Sequence, residues 1–189
     1  MRVLVVDTET TGLPYFKDGN QVWPSIVQWS FVVFDTDTDK VLQQHDFIIK
    51  SLDPISEESV SIHGIHPEMN AKMGFDFKDI HPIFQVCVDQ CTMIVGHNID
   101  FDIHVIQHEC QRLGCTFRIP SVVYCTMKAS KNICCIPRNG YYKNPKLIET
   151  YEFLFHETPK GLHNSMQDVW ACLRCFCMLM YEKNINYSS

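Results

Sequence analysis

Two acidic residues, Asp7 and Glu9, directly follow the apolar residues 3–6 (VLVV) near the start of the chain. An apolar run without polar alternation is typical of a strand buried on both faces at the centre of a sheet. Because side chains alternate along a strand, Asp7 and Glu9 point the same way and Thr8 points the opposite way. Paired carboxylates beside such a strand favour a divalent cation as their partner. A strand that simply ends in a polar turn at residues 10–14 is the alternative.

Length and composition predict one domain over residues 1–183, followed by a short tail at residues 184–189. No apolar run approaches the roughly 18 residues of a membrane span. Charged and polar residues soon after Val6 argue against a secretory signal. We therefore expect a soluble intracellular protein with no membrane partner, and the sequence does not distinguish cytoplasm from nucleus.

The chain contains ten cysteines, whose spacing decides between disulfides, zinc and buried thiols. No pair of C-x-x-C motifs occurs, and His104, His108 and Cys110 form only a weak metal pattern. Free cysteine packs as a small hydrophobic residue, so we expect buried reduced thiols.

The net charge of −6 is unevenly distributed along the sequence. Residues 110–148 contain no acidic residue and carry seven cations, which leaves −13 on the remainder. The cations are Arg112, Arg118, Lys128, Lys131, Arg138, Lys143 and Lys146. This distribution favours a basic approach surface beside an acidic centre, to which Tyr124, Tyr141 and Tyr142 add aromatic rings. A solvated loop whose charges only confer solubility, with ordinarily packed tyrosines, is the alternative.

Periodicity predicts three strands first and then alternating helices and short strands. The predicted strands are 3–6, 26–34, 41–49, 92–96 and 121–124, and the second and third form a hairpin. The predicted helices are 56–63, 79–90, 101–113, 146–155 and 165–182, with a small hairpin or turns within 128–145. The stripe of helix 79–90 is Ile80, Ile83, Phe84 and Cys87, and that of helix 165–182 is Val169, Cys172, Leu173, Phe176 and Met180. This order predicts an α/β protein with helices on a mixed sheet.

Two further acidic residues are predicted at the starts of helices. Asp102 follows the strand at 92–96, and Asp168 lies five residues after His163. Positions five apart do not share a helical face, so His163 is predicted in the preceding loop and Asp168 in the first turn. Each feature alone has a local explanation, since Ser165 and Asp168 could form a capping arrangement and Asp102 could complement a helix dipole.

Taken in order, these motifs resemble the DEDDh branch of the DnaQ-like 3′-to-5′ exonucleases. The matching segments are residues 7–14 (DTETTGLP), 96–102 (GHNIDFD) and 163–168 (HNSMQD). The resemblance runs from Arg2 to about Met180 and implies a ribonuclease H-like fold with a central mixed sheet of about five strands flanked by helices. Many relatives have Asp-Thr where this chain has Cys125-Thr126, and residues 133–145 have no counterpart that we can place.

The resemblance implies a two-metal phosphodiester hydrolase that uses Mg²⁺ or Mn²⁺. Asp7 is implied to bridge the ions, Glu9 and Asp168 to complete one of them, and Asp102 to act on the other. His163 is implied to be the general base, whereas His97, His104 and His108 are expected to be structural. The implied contacts to the terminal nucleotide involve Thr10, Leu13, His63, Ile65, Asn98 and Phe101.

The implied substrates are single-stranded DNA or RNA 3′ ends, from which nucleoside 5′-monophosphates are released. A non-catalytic module that binds nucleic-acid ends remains an alternative, as does a proofreading or accessory subunit of a polymerase. Both a homodimer and a replication partner are compatible with the sequence.

Overall fold

A computed structural model describes residues 1–159, 161 and 163–185 of the chain. Its strands are β1 (Arg2–Thr10), β2 (Tyr15–Lys17), β3 (Asn20–Val22), β4 (Ile26–Asp35), β5 (Lys40–Ile48), β6 (Met93–Gly96), β7 (Val122–Cys125), β8 (Pro137–Arg138) and β9 (Tyr141–Tyr142). Its helices are α1 (Glu57–His63), α2 (Pro67–Met73), α3 (Phe77–Asp89), α4 (Ile99–Leu113), α5 (Thr126–Cys134), α6 (Leu147–Phe155) and α7 (Ser165–Tyr181). The tail predicted at 184–189 falls mostly on residues 186–189, which lie outside the described residues.

The main sheet has five strands in the order β5-β4-β1-β6-β7, with β1 at its centre. Strand β1 pairs antiparallel with β4 and parallel with β6, and β6 pairs parallel with β7. The carboxyl ends of β1, β6 and β7 therefore meet at one edge, and the predicted mixed sheet is confirmed. The β1–β4 register shifts between Glu9 and Thr10, so regular pairing breaks just past the acidic pair.

The two faces of β1 belong to different hydrophobic clusters, as strand alternation requires. Leu4 and Val6 pack in a cluster with residues of α3 and α4, such as Phe84. Val3 and Val5 pack with residues of α7 on the other face. The central strand is thus buried on both sides by helices, in agreement with its uninterrupted apolar sequence.

The predicted helix boundaries at α1 and α4 follow their capping residues. The Ser56 hydroxyl accepts a hydrogen bond from the Ser59 N–H at 3.1 Å, and Gly64 ends α1 with φ of 72°. Gly114 ends α4 with φ of 69°. These positions are confirmed because their signals are local in sequence.

Three elements were not predicted: the β2–β3 hairpin and helices α2 and α5. Hairpin strands of three residues are too short to show alternation, although Asp18-Gly19 at the turn, with φ of 52° and 79°, is a hairpin signal. Helix α5 buries Thr126 and Ser130 rather than apolar residues, so it lacks a hydrophobic period. The β8–β9 hairpin within 128–145 is confirmed.

Two residues of the predicted apolar stripes are exposed, which corrects those assignments. Ile83 is 37% exposed because it lies on the flank of the face of α3 that is centred on Phe84. Met180 is 38% exposed in the final turn of α7, while Cys177 is buried in the preceding turn.

All ten cysteines are free thiols, and six of them are buried. Burial raises the pKa of Cys87 to about 11 and that of Cys91 to about 12, so these thiols stay protonated at neutral pH. The expectation of buried thiols is wrong for Cys135, which is exposed, and holds only partly for Cys115, Cys125 and Cys134. Among the described helices, none combines the length and apolar character needed to cross a membrane.

We predict that Gly74→Ala destabilises the fold by about 1–3 kcal/mol, the usual cost of overpacking. A Cβ at Gly74 would lie 2.5 Å from the Asn70 carbonyl oxygen and 2.8 Å from the backbone of Lys50. Chemical denaturation measures the change in the free energy of unfolding. Gly12→Ala is the matched control because a Cβ there meets nothing within 4 Å, and equal losses in the two variants would contradict the prediction.

Candidate active site

Three carboxylates converge where β1 meets the first turn of α7. Asp7 and Glu9 continue the face of β1 that packs against α7, and Asp168 lies in the first turn of that helix. One carboxylate oxygen from each residue lies within 4.8 Å of those of the other two. The structure therefore brings together Asp7, Glu9 and Asp168, as the resemblance to the DEDDh exonucleases implies.

Asp102 approaches the same strand from the α4 side. It is buried in the first turn of α4, and its Oδ1 accepts hydrogen bonds from the Thr8 N–H at 3.0 Å and the Thr8 hydroxyl at 2.8 Å. Thr8 faces α4 because side chains alternate along β1. The fourth acid is thus held from the α4 side of the strand, close enough to the other three to raise the pKa values of Asp7 and Glu9.

Burial raises the pKa values of all four acids, and repulsion from neighbouring carboxylates adds to the rise for Asp7, Glu9 and Asp102. Burial is the largest cause for each residue, and the pKa of Asp7 is also raised by Asp102, Asp168 and Glu9. The pKa rises to about 7 for Glu9 and Asp102 and to about 6 for Asp168. Within the described residues, no lysine or arginine forms an ion pair with any of them. A site that concentrates negative charge in this way favours a divalent cation with oxygen ligands.

His163 lies in the loop before α7, where the sequence predicts it. It is exposed, has φ of 70°, and its N–H donates to Asp168 Oδ2 at 3.3 Å. The helix is capped by Asn164, whose side chain accepts from the Gln167 N–H, and not by Ser165. The alternative of a capping role for Ser165 is therefore wrong.

Ser165 instead ties α7 to the strand that carries Asp7. Its hydroxyl donates to the Asp7 carbonyl oxygen at 2.7 Å, and its N–H donates to Gln28 Oε1 at 3.3 Å. Gln28 lies opposite Glu9 on β4 and donates in turn to Asp46 at 2.8 Å. Both Ser165 and Gln28 are buried. We call these hydrogen bonds of Ser165 and Gln28 the clamp. The clamp could not be predicted from the sequence, because its contacts join segments 137 and 158 residues apart.

A groove of about 870 Å³ opens beside the acids. Four of the predicted substrate contacts line it, namely Thr10, Leu13, His63 and Phe101, together with Glu9. Leu13 is 78% exposed there. The other two predicted contacts lie elsewhere: the Ile65 side chain is buried in the core, and Asn98 is the exposed residue with φ of 68° that precedes α4.

The groove also contains residues that the motifs do not identify. Trp23, His108 and Arg112 line its wall. The spacing of Phe101, His108 and Arg112 at seven and four residues places them on one face of α4, a signal available in the sequence. Trp23 had no such signal, since it follows a strand that was not predicted.

The basic segment at residues 110–148 is more neutralised than its sequence suggests. Four of its seven cations form ion pairs, as Arg112 with Asp53, Arg118 with Asp89, Lys128 with Asp100, and Lys143 with Glu149. The partners lie outside the segment, so the sequence alone could not show the pairing. Lys131, Arg138 and Lys146 remain without ion pairs in the described part of the chain.

We predict that Mn²⁺ raises the thermal unfolding temperature by an amount that grows between about pH 6 and pH 8. The carboxyl groups must lose their protons to bind the cation, and in the folded protein they do so near pH 6 to 7, so the affinity for Mn²⁺ rises through that range. Because these pKa values are raised only in the folded state, the ion-free protein loses stability from the lower unfolded-state values, about pH 4, up to about pH 7. Bound cation offsets this loss. The measurement is the difference in unfolding temperature between Mn²⁺ and EDTA at each pH.

Subtracting the unfolding temperature in EDTA from that in Mn²⁺ removes the contribution of histidines far from the acids, whose dependence on pH is opposite. Burial lowers the pKa of His45, His81 and others, which makes the fold more stable as pH rises in both solutions. Asp7→Asn should abolish most of the Mn²⁺ effect. An equal effect at every pH, or in Asp7→Asn, would contradict the assignment.

We predict that Ser165→Ala weakens Mn²⁺ binding by about 10-fold, because groups that orient metal ligands typically contribute this much. The change removes the hydrogen bond that holds the start of α7 against Asp7. Isothermal titration with Mn²⁺ measures the affinity. Ser130→Ala is the matched control, since Ser130 is equally buried but donates to Thr126 within α5. Equal affinities for the two variants would exclude a positioning role for Ser165.

Comparisons with known proteins agree with this geometry. A family model described as an exonuclease, RNase_T, matches residues 4–176. A search of the curated proteins gives no significant match.

Solved structures of exonucleases share the fold at low sequence identity. Exonuclease X in complex with 5′ overhanging duplex DNA has a TM-score of 0.61 and 22% identity, covering 96% of this chain and 93% of that one. The nuclease domain of 3′hExo, a DEDDh family member bound to rAMP, has a TM-score of 0.72 and 14% identity, covering 97% and 93%. E. coli Exonuclease I with a dA16 oligonucleotide has a TM-score of 0.69 and 17% identity, covering 96% of this chain but 41% of that one.

These likenesses confirm the ribonuclease H-like α/β fold, and the family implies divalent metal cations. The half-buried carboxylates of Asp7, Glu9 and Asp168, which lack a protein cation in the described residues, fit that requirement. The chain therefore belongs to the RNase_T exonuclease family, as its resemblance to the DnaQ-like DEDDh exonucleases predicts.

Proposed function

We propose that this nuclease is a 3′-to-5′ exonuclease that uses two divalent cations, Mg²⁺ or Mn²⁺, and releases nucleoside 5′-monophosphates from single-stranded 3′ ends. The observation that carries the proposal is the group of three carboxylates within 4.8 Å of one another, beside a groove that Glu9 also lines. Phosphodiester hydrolysis requires an activated water and stabilisation of added negative charge. When bound, the cations supply that charge and the support for the departing oxygen.

In this proposal the four acids would hold the cations from the two faces of β1. Asp7, Glu9 and Asp168 share one side, and Asp7 is the acid whose pKa is raised by all three of the others. Asp102, fixed through Thr8, approaches from the other side. This arrangement supports Asp7 as the bridging ligand, with Asp102 serving the second ion.

His163 supplies the general base in this proposal. Its backbone N–H donates to Asp168 Oδ2, and the residue is exposed in the loop directly before α7. A histidine that is neutral near pH 7 can accept the proton of the attacking water. The water oxygen bonds to phosphorus, the bond from phosphorus to the 3′ oxygen of the preceding nucleotide breaks, and a shortened chain with a new 3′-hydroxyl departs.

In this proposal the groove binds the 3′ end of the strand, so that nucleotides are removed from that end. Thr10, Leu13, His63 and Phe101 provide a pocket for the terminal nucleotide next to Glu9. The rAMP in the 3′hExo structure and the oligonucleotide in the Exonuclease I structure support nucleotide and single-strand binding at such a domain. Both DNA and RNA remain candidate substrates, and an intracellular location suits either one.

A binding module that recognises nucleic-acid ends without cutting them is the rival from another functional class. Loss of one of the acids would favour a non-catalytic module, but the sequence retains all four acids and the proposed base, namely Asp7, Glu9, Asp102, Asp168 and His163. A proofreading subunit of a polymerase and a homodimer are both compatible with catalysis. Co-purification and the mass of the native particle test these two arrangements.

We predict that Asp7→Asn or Asp168→Asn nearly abolishes hydrolysis, because each removes a ligand charge from the group of three. His163→Ala should lower kcat by about 10²- to 10⁴-fold, the usual contribution of a general base. The assay follows 5′-labelled and 3′-labelled single-stranded oligonucleotides of DNA and RNA in Mn²⁺ and Mg²⁺. His66→Ala is the control, since His66 is exposed and precedes α2.

The labels distinguish the possible outcomes. Removal from the 3′ end yields a ladder of 5′-labelled products and immediate release of a labelled mononucleotide from 3′-labelled substrate. Degradation from the 5′ end would overturn the proposed polarity. Full-length substrate under every condition, with retained binding, would favour the non-catalytic module.

A further inference from the structure

Three aromatic rings form a continuous surface on the α4 side of the groove, which we call the aromatic shelf. The shelf consists of Phe101, Trp23 and His104. The indole of Trp23 and the imidazole of His104 are stacked, with centroids 4.9 Å apart and planes 9° from parallel. The Phe101 ring lies 6.1 Å from the Trp23 ring at an angle of 54°. Both Trp23 and Phe101 line the groove that contains Glu9.

The fold holds Trp23 in place without burying it. Trp23 lies between the end of β3 and the start of β4, and it packs partly against the main hydrophobic cluster, as does Phe101. His104 is exposed, and its Nδ1 lies 2.5 Å from the Asp100 carbonyl oxygen, which fixes the orientation of its ring. The indole is therefore supported by His104 on one face and still borders the groove.

Phe101 directly precedes Asp102, and the Trp23 ring lies 6.1 Å from the Phe101 ring in the lining of the same groove. The proposed function puts the terminal nucleotide against Phe101 together with Thr10, Leu13 and His63. Because Trp23 is the neighbour of Phe101, its ring is the next one available to the base that precedes the terminal base.

We propose that Trp23, supported by His104, is a stacking subsite for the base of the penultimate nucleotide. This inference rests on the proposed function, because it assumes that a nucleic-acid strand occupies the groove. Aromatic rings bind bases through their π-faces with little dependence on sequence, which suits an enzyme that degrades strands of any sequence. The same wall carries His108 and Arg112, and the Arg112 guanidinium is engaged by Asp53. The aromatic rings are thus the part of the wall that fits a base.

The test combines substitution of Trp23 with removal of single bases from the substrate. Trp23→Leu keeps apolar bulk for packing but removes the ring, and Trp23→Phe keeps a smaller ring. Binding of single-stranded oligonucleotides is measured by fluorescence anisotropy in the Asp7→Asn background with Mn²⁺, so that no hydrolysis intervenes. The oligonucleotides are intact or carry one abasic residue at the terminal, penultimate or third position.

With the intact strand, Trp23→Leu should weaken binding by roughly 10-fold and Trp23→Phe by less, as expected for loss of one stacked base. The protein with Trp23 should bind the strand that is abasic at the penultimate position about 10-fold more weakly than the intact strand. Trp23→Leu should not weaken the binding of this abasic strand any further. Phe16→Ala is the matched control, because Phe16 belongs to the hairpin that directly precedes Trp23 and is 76% exposed. Thermal unfolding verifies that each variant is folded.

A loss caused by Trp23→Leu that persists with the penultimate abasic strand would overturn the subsite, as would equal binding by Trp23→Leu and the parent. Cleavage by the wild-type active site separates this result from failure of the proposed function. If oligonucleotides are degraded while the Trp23 variants bind normally, the shelf inference fails and the exonuclease proposal stands. If oligonucleotides bind through Trp23 but are never cleaved, the shelf stands and the exonuclease proposal fails.

Discussion

Crowding of four carboxylates, with Asp102 buried and the other three half-buried, is the constraint on which this structure depends. Burial raises the pKa values of Asp7, Glu9, Asp102 and Asp168, and neighbouring carboxylates raise those of the first three further. Such a group persists only if the surrounding fold is stable enough to hold it. Strand β1 provides this support, since it lies at the centre of the sheet and packs against helices on both faces.

The alternation of β1 explains which acids meet. Asp7 and Glu9 extend the face on which Val3 and Val5 pack against α7, so they meet Asp168 at the start of that helix. Thr8 extends the opposite face and bonds to Asp102 of α4. The acidic centre is therefore built from two helical layers on opposite faces of the sheet, α4 on one and α7 on the other. Ser165 fixes one of these layers directly to the main chain of Asp7.

Much of the fold and most of the site could be predicted because their signals are local. Strand β1, the caps of α1 and α4, and the positions of Asp102 and Asp168 follow from periodicity and motif spacing. Helix α5 could not be predicted, since its buried residues, Thr126 and Ser130, are polar and give no apolar stripe. The clamp through Gln28 and the stack of Trp23 on His104 also escaped prediction. Both depend on contacts between distant segments, which no single stretch of sequence specifies.

The register shift between Glu9 and Thr10 divides this part of the chain into two stretches that differ in how well they tolerate insertions, deletions and substitutions. On its amino-terminal side, one inserted or deleted residue would exchange the two faces of β1, sending Asp7 and Glu9 toward α4 and Thr8 toward α7. On its carboxyl-terminal side, residues 10–13 no longer follow the pleat, so changes in length or side chain there alter the groove while leaving the acids in place. Substitutions that reshape the groove wall can thus be made without moving the carboxylates of Asp7 and Glu9. The irregular pair in the sheet marks the boundary between the part of β1 whose register positions the acids and the part that shapes the groove.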